Sequence, residues 1–236
     1  MIVRTEAFVL KAIRFGETSM IYRLFTRDRG IVPVIAKGAR RPRSRFGAVV
    51  EPFHRLGVMY YDRRGREIQT LAAAELLAGH PGVARSLERM EAAGVWLRYL
   101  RAVVPDGFSA EPLYDLLAAA LPRLEATSPA RARRWETYHR AAAAALLGVA
   151  PRLEGCAICG RWLPDGEEIG FAPGEGGVVC RGCHAARPGI PLSRAEYALL
   201  RLYHQPEFAL LEDLEDITMD EVKIQDLIHD FTRYHS

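Results

Sequence analysis

Four cysteines stand in two Cys-x-x-Cys pairs, Cys156/Cys159 and Cys180/Cys183, with twenty residues between the pairs. Thiolates are soft donors, and two tight turns at this spacing gather four of them around one tetrahedral ion. A structural Zn2+ site is the first reading; a redox dithiol and an iron–sulfur cluster compete with it. His184 follows Cys183 and offers an alternative ligand, which four thiols make unnecessary. Four protein ligands leave no open coordination position, so no metal-activated water is expected. The second constellation is cationic. Lys37, Arg40, Arg41, Arg43 and Arg45 make up five of the nine residues 37–45, and no acid occurs between Asp28 and Glu51. Gly38, Pro42 and Gly47 argue against a helix and put these charges on an exposed loop. The planar guanidinium fork suits bidentate contact with phosphate, and a loop built from it clamps a nucleic-acid backbone with steep salt dependence. The plain alternative is a solvated loop with no partner.

Charge is unevenly spread along the 236 residues. Residues 1–80 carry a net +8, residues 81–150 a net +2 and residues 151–236 a net −7. Only the first third is suited to meet a polyanion. Hydrophobic residues at 49% and charged residues at 26% are globular proportions. Arg4, Glu6 and Lys11 interrupt the N-terminus, unlike a signal peptide, and the longest charge-free apolar run, residues 141–151, is too short to span a bilayer. No membrane association and a cytoplasmic setting are expected. No P-loop, zincin, zinc-deaminase or nucleophile-elbow motif occurs, and the seven histidines are scattered. The chain reads as a binding protein rather than an enzyme.

The elements that must position these groups follow in order. Residues 1–13, 19–26, 31–36, 53–61 and 67–75 read as five short strands separated by turn signals, with Pro33 marking an edge position or a bulge. Five strands in about 75 residues suit a small barrel, most economically an OB-fold, although an SH3-like barrel leaves a similar pattern. Arg14 then sits in the first connecting loop, Arg63, Arg64 and Arg66 in the last, and residues 37–45 between strands three and four. These four arginines are secondary candidates for nucleic-acid contact. Phe15, Tyr22, Phe46, Phe53, Tyr60 and Tyr61 are interleaved with the charge. Most are expected in the core, at most one of Tyr60 and Tyr61 is expected there, and Phe46 is the ring selected for base stacking.

Helical spacing begins at Pro81, with Leu87, Met90, Val95, Leu97 and Leu100 on one apolar face and Leu113, Leu116, Leu117, Ala120, Leu121 and Leu124 on the next. Ser128-Pro129 opens a further helix that ends at Gly148. The glycine-rich segment 152–190 has little to build a core from and needs its metal. Ser193 and Glu196 form a capping box, Pro206 ends that helix, Glu212, Asp213, Glu215 and Asp216 form a solvated acidic connection, and a last amphipathic helix starts near Met219. The expected architecture is α+β and multidomain: an OB-fold β-barrel at 1–80, an α-helical domain at 81–151 plus 191–236, and an inserted four-cysteine zinc module at 152–190.

The chain resembles the RecO family of bacterial recombination mediators and DNA repair proteins. The likeness rests on Phe8-Val9-Leu10, Gly16-Glu17-Thr18-Ser19, Ala36-Lys37-Gly38-Ala39-Arg40, the order of segments and the late Cys-x-x-Cys pairs. The resemblance implies an OB-fold, a helical domain and a zinc module on Cys156, Cys159, Cys180 and Cys183. It implies binding to single- and double-stranded DNA and annealing of complementary strands. With RecR, and sometimes RecF, such proteins help load RecA onto DNA covered by single-strand-binding protein, whose acidic tail they contact. It implies a cytoplasmic, nucleoid-associated protein. The rivals are a zinc-containing RNA-binding or transcription factor, a strand-processing enzyme and a protein-interaction scaffold.

Overall fold

The computed structural model describes every residue except 48, 105, 164–167, 187–188, 206–208, 215–217 and 236. The chain packs as two compact units, Met1–Ala132 and Arg133–Ser236, so the helices within 81–151 are divided between them.

In the first unit β1 (Ile2–Phe15), β2 (Ser19–Thr26), β3 (Gly30–Ala36), β4 (Arg55–Tyr61) and β5 (Gln69–Ala78) close into a barrel in the order β1-β2-β3-β5-β4. The β3–β5 seam is parallel and every other pairing antiparallel, which is the OB arrangement and excludes a simple meander. Alternation fills the interior: Val3, Ala7, Val9, Tyr22, Leu24 and Val34 point inward, joined by Tyr60, which is 1% exposed, while neighbouring Tyr61 points out. A bulge between Val9 and Lys11 lets β1 leave the barrel, so residues 11–15 pair with β2 alone and are all exposed. The parallel seam pairs only Val34 with Gln69 and Ile35 with Thr70. Pro33 therefore lies on an edge stretch of β3, where a missing N–H costs nothing.

Three helices complete this unit: α1 (Pro81–Ala84), α2 (Leu87–Val103) and α3 (Glu111–Ala126). Ser86 caps α2 by accepting from the Arg89 amide at 3.3 Å. Leu87 and Met90 face outward, contrary to the expected face; Ala92, Ala93, Trp96, Leu97, Tyr99 and Leu100 are the buried set. On α3 Leu113, Leu117, Leu121 and Leu124 are buried as expected while Leu116 is only half-buried, and Tyr114 meets Phe8 and Phe25 at ring-centroid distances of 5.2 and 5.7 Å. Those two rings face each other across β1 and β2 on the outside of the barrel.

The second unit contains α4 (Ala132–Leu146), β6 (Ile169–Ala172), β7 (Gly177–Cys180), α5 (Arg181–Ala186), β8 (Ile190–Leu192), α6 (Arg194–Tyr203), α7 (Ala209–Glu212) and α8 (Met219–Tyr234). The strands form one small sheet, β7-β6-β8. Pro129 opens a 3-10 turn ahead of α4, and the Ser128 side chain makes no capping bond there, unlike the expectation. The Ser193–Glu196 capping box is present, with both reciprocal bonds made. Burial of Ile224, Leu227, Ile228 and Phe231 gives α8 its inner face. Beside them Arg134 and Glu221, both essentially inaccessible, form a bidentate pair at 2.7 and 2.6 Å. The Tyr203 hydroxyl and the Gln225 amide also donate to Glu221, and two carbonyls accept from Arg134, so the buried charges are fully partnered. Pro206, Glu215 and Asp216 lie outside the described residues. Among the described residues no helix is long and apolar enough to cross a membrane.

Candidate nucleic-acid interface and metal centre

The loop after β3 is a chain of tight turns, not a flexible strap. Backbone bonds run from Arg41 N to Gly38 O (3.0 Å), Ser44 N to Arg41 O (3.0 Å) and Val50 N to Phe46 O (3.0 Å). Gly38 and Arg43 supply the left-handed φ values of 70° and 62° that such turns require; the second is uncommon for a residue with a Cβ. Ala39, Phe46 and Val50 are buried in the barrel core and nail the loop down from inside. Phe46 is thus a core residue, 3% exposed, and not a free stacking platform. The loop has three apolar feet, and Lys37, just before the first, and Arg40, Arg41, Arg43 and Arg45, between the first two, are all exposed. Arg45 lies over the Phe46 ring with its guanidinium carbon 5.0 Å from the centroid.

Arg14 stands in β1 itself rather than in the turn, because that strand runs on to Phe15. Arg63, Arg64 and Arg66 lie exposed in the β4–β5 loop. The loop is organised by a residue the sequence reading passed over: buried Gln69 accepts from Arg63 N at 2.8 Å and donates to Arg66 O at 2.8 Å. A lone glutamine opening an apolar strand after a charged turn was the available signal.

The barrel's arginines fall into two classes. Arg23, Arg27, Arg29 and Arg55 are tied to Asp106, Glu111, Asp62 and Glu6 respectively, at 2.6–3.0 Å. Among the described residues none of Arg14, Lys37, Arg40, Arg41, Arg43, Arg45, Arg63, Arg64 and Arg66 forms a salt bridge. The second class holds the charge still available to an anion. A cleft of about 720 Å³ opens where the β3–β5 seam is short, lined by Ile13, Ile21, Pro33 and Ile68, but its cations Arg23 and Arg29 are already paired. That makes it a poor phosphate site.

In the second unit the four cysteine sulfurs lie within 4.8 Å of one another. Cys156 and Cys159 flank a knuckle in which Gly160, with φ 74°, donates to Cys156 O at 2.9 Å. Cys180 ends β7 and Cys183 sits on α5. The Cys159 and Cys180 sulfurs are 3.9 Å apart, and Cys180 N donates to the Cys156 sulfur at 3.4 Å. Burial raises the Cys156 thiol, but the N–H groups of Cys159, Cys180 and Ile158 outweigh it and leave the value at about 6. Amide bonds of this kind stabilise the thiolate that a metal needs. His184 stands aside: its Nε2 contacts Gly189 O at 2.9 Å, and its ring covers Gly170, where an added Cβ would lie 2.3 Å from Cδ2.

A barrel of OB order followed by a cysteine cluster is matched by comparison with known sequences. The family description "Recombination protein O N terminal" covers residues 1–80, and "Recombination protein O C terminal" covers residues 84–236. The chain belongs to the RecO family. Among relatives named DNA repair protein RecO, that of Rubrobacter xylanophilus is 42% identical over 185 residues, covering 78% of this chain and 73% of the relative. That of Anaeromyxobacter dehalogenans is 36% identical over 191 residues, covering 80% and 72%. That of Salinibacter ruber is 32% identical over 239 residues, covering 99% of this chain and 88% of its own. The chain is therefore a DNA repair protein of the RecO family, with an OB-like barrel and four cysteines placed to bind a metal.

Proposed function

We propose that the chain is a recombination mediator that binds single- and double-stranded DNA through the 37–45 loop and anneals complementary strands. The observation that carries this is that Lys37, Arg40, Arg41, Arg43 and Arg45 have no acid partner among the described residues, on a loop fixed by three buried side chains. Annealing makes and breaks no covalent bond. A rigid cationic surface screens the repulsion between two backbones while leaving base edges free, and a pre-ordered loop loses little entropy on binding. Arg14, Arg63, Arg64 and Arg66 extend the same surface. With RecR, and in some settings RecF, the protein would help load RecA onto DNA covered by single-strand-binding protein, in the cytoplasm at the nucleoid. The test is annealing of complementary oligonucleotides by wild type and by Arg40→Glu/Arg41→Glu. Loss of annealing with an unchanged fold supports the assignment, and wild-type annealing in the double variant removes it.

The cysteine cluster is read as a structural Zn2+ site. Four sulfurs at Zn–S distances of about 2.3 Å around a tetrahedron lie about 3.8 Å apart, close to the Cys159–Cys180 separation of 3.9 Å. Bound there, the ion supplies no open position and acts as a clamp for a segment whose three strands are short. For the acidic tail of single-strand-binding protein, the groove of about 400 Å³ between α4 and α6 is the supporting feature, with an alanine wall and the exposed cations Arg152 and Arg201. Exposed Glu154 lines it too, so the groove offers a single net positive charge within a unit that is acidic overall.

A further inference from the structure

We propose that Phe15 stacks on an unpaired base of the strand held by the cationic loop, so that the interface discriminates single strands and strand ends from continuous duplex. This rests on the DNA-binding role proposed above and adds the residue that reads single-strandedness.

Register fixes which way Phe15 points. Tyr22 and Leu24 face the barrel core, and Met20 packs against it, so the intervening Ser19, Ile21 and Arg23 face outward. Directly paired residues share a face, and Phe15 pairs with Ser19, Ile13 with Ile21 and Lys11 with Arg23. Phe15 is therefore the tip of an outward row on β1, beyond Ile13 and Lys11. Phe15 is 53% exposed.

The tip is also joined to the phosphate-binding loop. Arg40 N donates to Thr18 O at 2.9 Å, and the Arg40 guanidinium donates to Glu17 O at 3.0 Å. These bonds hold the turn that carries Phe15 beside Arg40, with Arg14 and Lys37 nearby in sequence. Glu17 is the single acid among residues 14–19 and is exposed to solvent. A backbone neutralised by Arg40 and Arg41 thus passes an exposed ring, and every base has a π-face that such a ring can cover. In a continuous duplex the bases are already stacked on each other, so the ring has no partner there. Of the other rings interleaved with this charge, Tyr22, Phe46 and Tyr60 are buried and Phe53 is half-buried, while exposed Tyr61 pairs with Ile2 at the opposite end of β1 from Phe15.

The experiment uses the full chain with oligonucleotides carrying a single 2-aminopurine, single-stranded or in duplex, and the variants Phe15→Ala and Phe15→Trp. Expected for Phe15→Ala is about tenfold weaker single-strand binding, equivalent to about 1.4 kcal/mol, with unchanged salt slope and unchanged duplex binding. The 2-aminopurine quenching seen with wild type should vanish in Phe15→Ala and return in Phe15→Trp. Wild-type quenching and single-strand affinity in Phe15→Ala overturn the proposal while leaving the loop assignment intact. Equal losses on single strand and duplex overturn it too. A wild-type protein that binds no single strand overturns both.

Discussion

The Arg40 guanidinium donates to the carbonyl of Glu17 across 3.0 Å, so this cation fastens the loop after β3 to the β1–β2 turn as well as presenting charge. Arg41 has no such bond to the turn: only its backbone serves, donating to Gly38 O. Arg40→Ala and Arg41→Ala should therefore differ. On a single strand Arg41→Ala should lower the logarithmic salt slope by about 0.7 and leave the loop ordered. Arg40→Ala should do the same and also speed hydrogen exchange at its own amide, which bonds Thr18 O. Equal exchange in the two variants would remove the fastening role.

Phe46 is a foot of the loop, not a reader of bases. Phe46→Ala should destabilise the first unit by about 3–5 kcal/mol through the cavity it leaves, measured by urea unfolding. Phe46→Leu should cost much less and keep DNA affinity. A fully stable Phe46→Ala with weakened DNA binding would restore the stacking role.

Glu221 should contribute to the acid sensitivity of the second unit. Burial raises its pKa, but bonds from Arg134, Tyr203 and Gln225 prevail and hold it below the ordinary 4.5. A carboxylate with a depressed folded pKa contributes stability in full above that ordinary value and loses it as pH falls through the lowered one. Glu221→Gln should cost about 3–5 kcal/mol at pH 7 by stranding Arg134, and the variant should lose less than wild type on acidification. Parallel pH profiles would show that this pair does not set the acid response.

Metal removal should act on the second unit alone. One Zn2+ per chain is expected, none in Cys180→Ser, with the melting temperature of that unit falling by more than about 5 °C. Single-strand DNA binding at moderate salt should survive. Stoichiometric metal in Cys180→Ser would show that the cluster is not the site.

Much of this was legible from periodicity and composition. The strand at 19–26 has the bounds of β2, and the Ser193 box caps α6, because alternation and local side-chain bonds are written in neighbouring residues. The four cysteines converge because their spacing leaves few other outcomes. The fate of Phe46 was not legible, since an aromatic beside Arg45 looks the same whether its ring turns in or out. Only the three-dimensional closure of the barrel, with Ala39 and Val50 entering beside it, decides that. The pairing of Arg23, Arg27, Arg29 and Arg55 was hidden for the same reason: two of their partners, Asp106 and Glu111, are more than eighty residues away in the chain. The outward position of Leu87 was not legible either: the helical spacing reads as continuous from Pro81, whereas the helix breaks after Ala84 and restarts at Leu87, whose place in the first turn of α2 leaves it exposed.

The most direct measurement is the affinity of fluorescent single-stranded DNA across a salt series, for wild type and Arg40→Glu/Arg41→Glu. A steep wild-type slope that flattens in the double variant is the expected result, since each lost phosphate contact removes about 0.7 from the slope on a single strand. Equal slopes for the two proteins would contradict the account and place the DNA elsewhere on the chain.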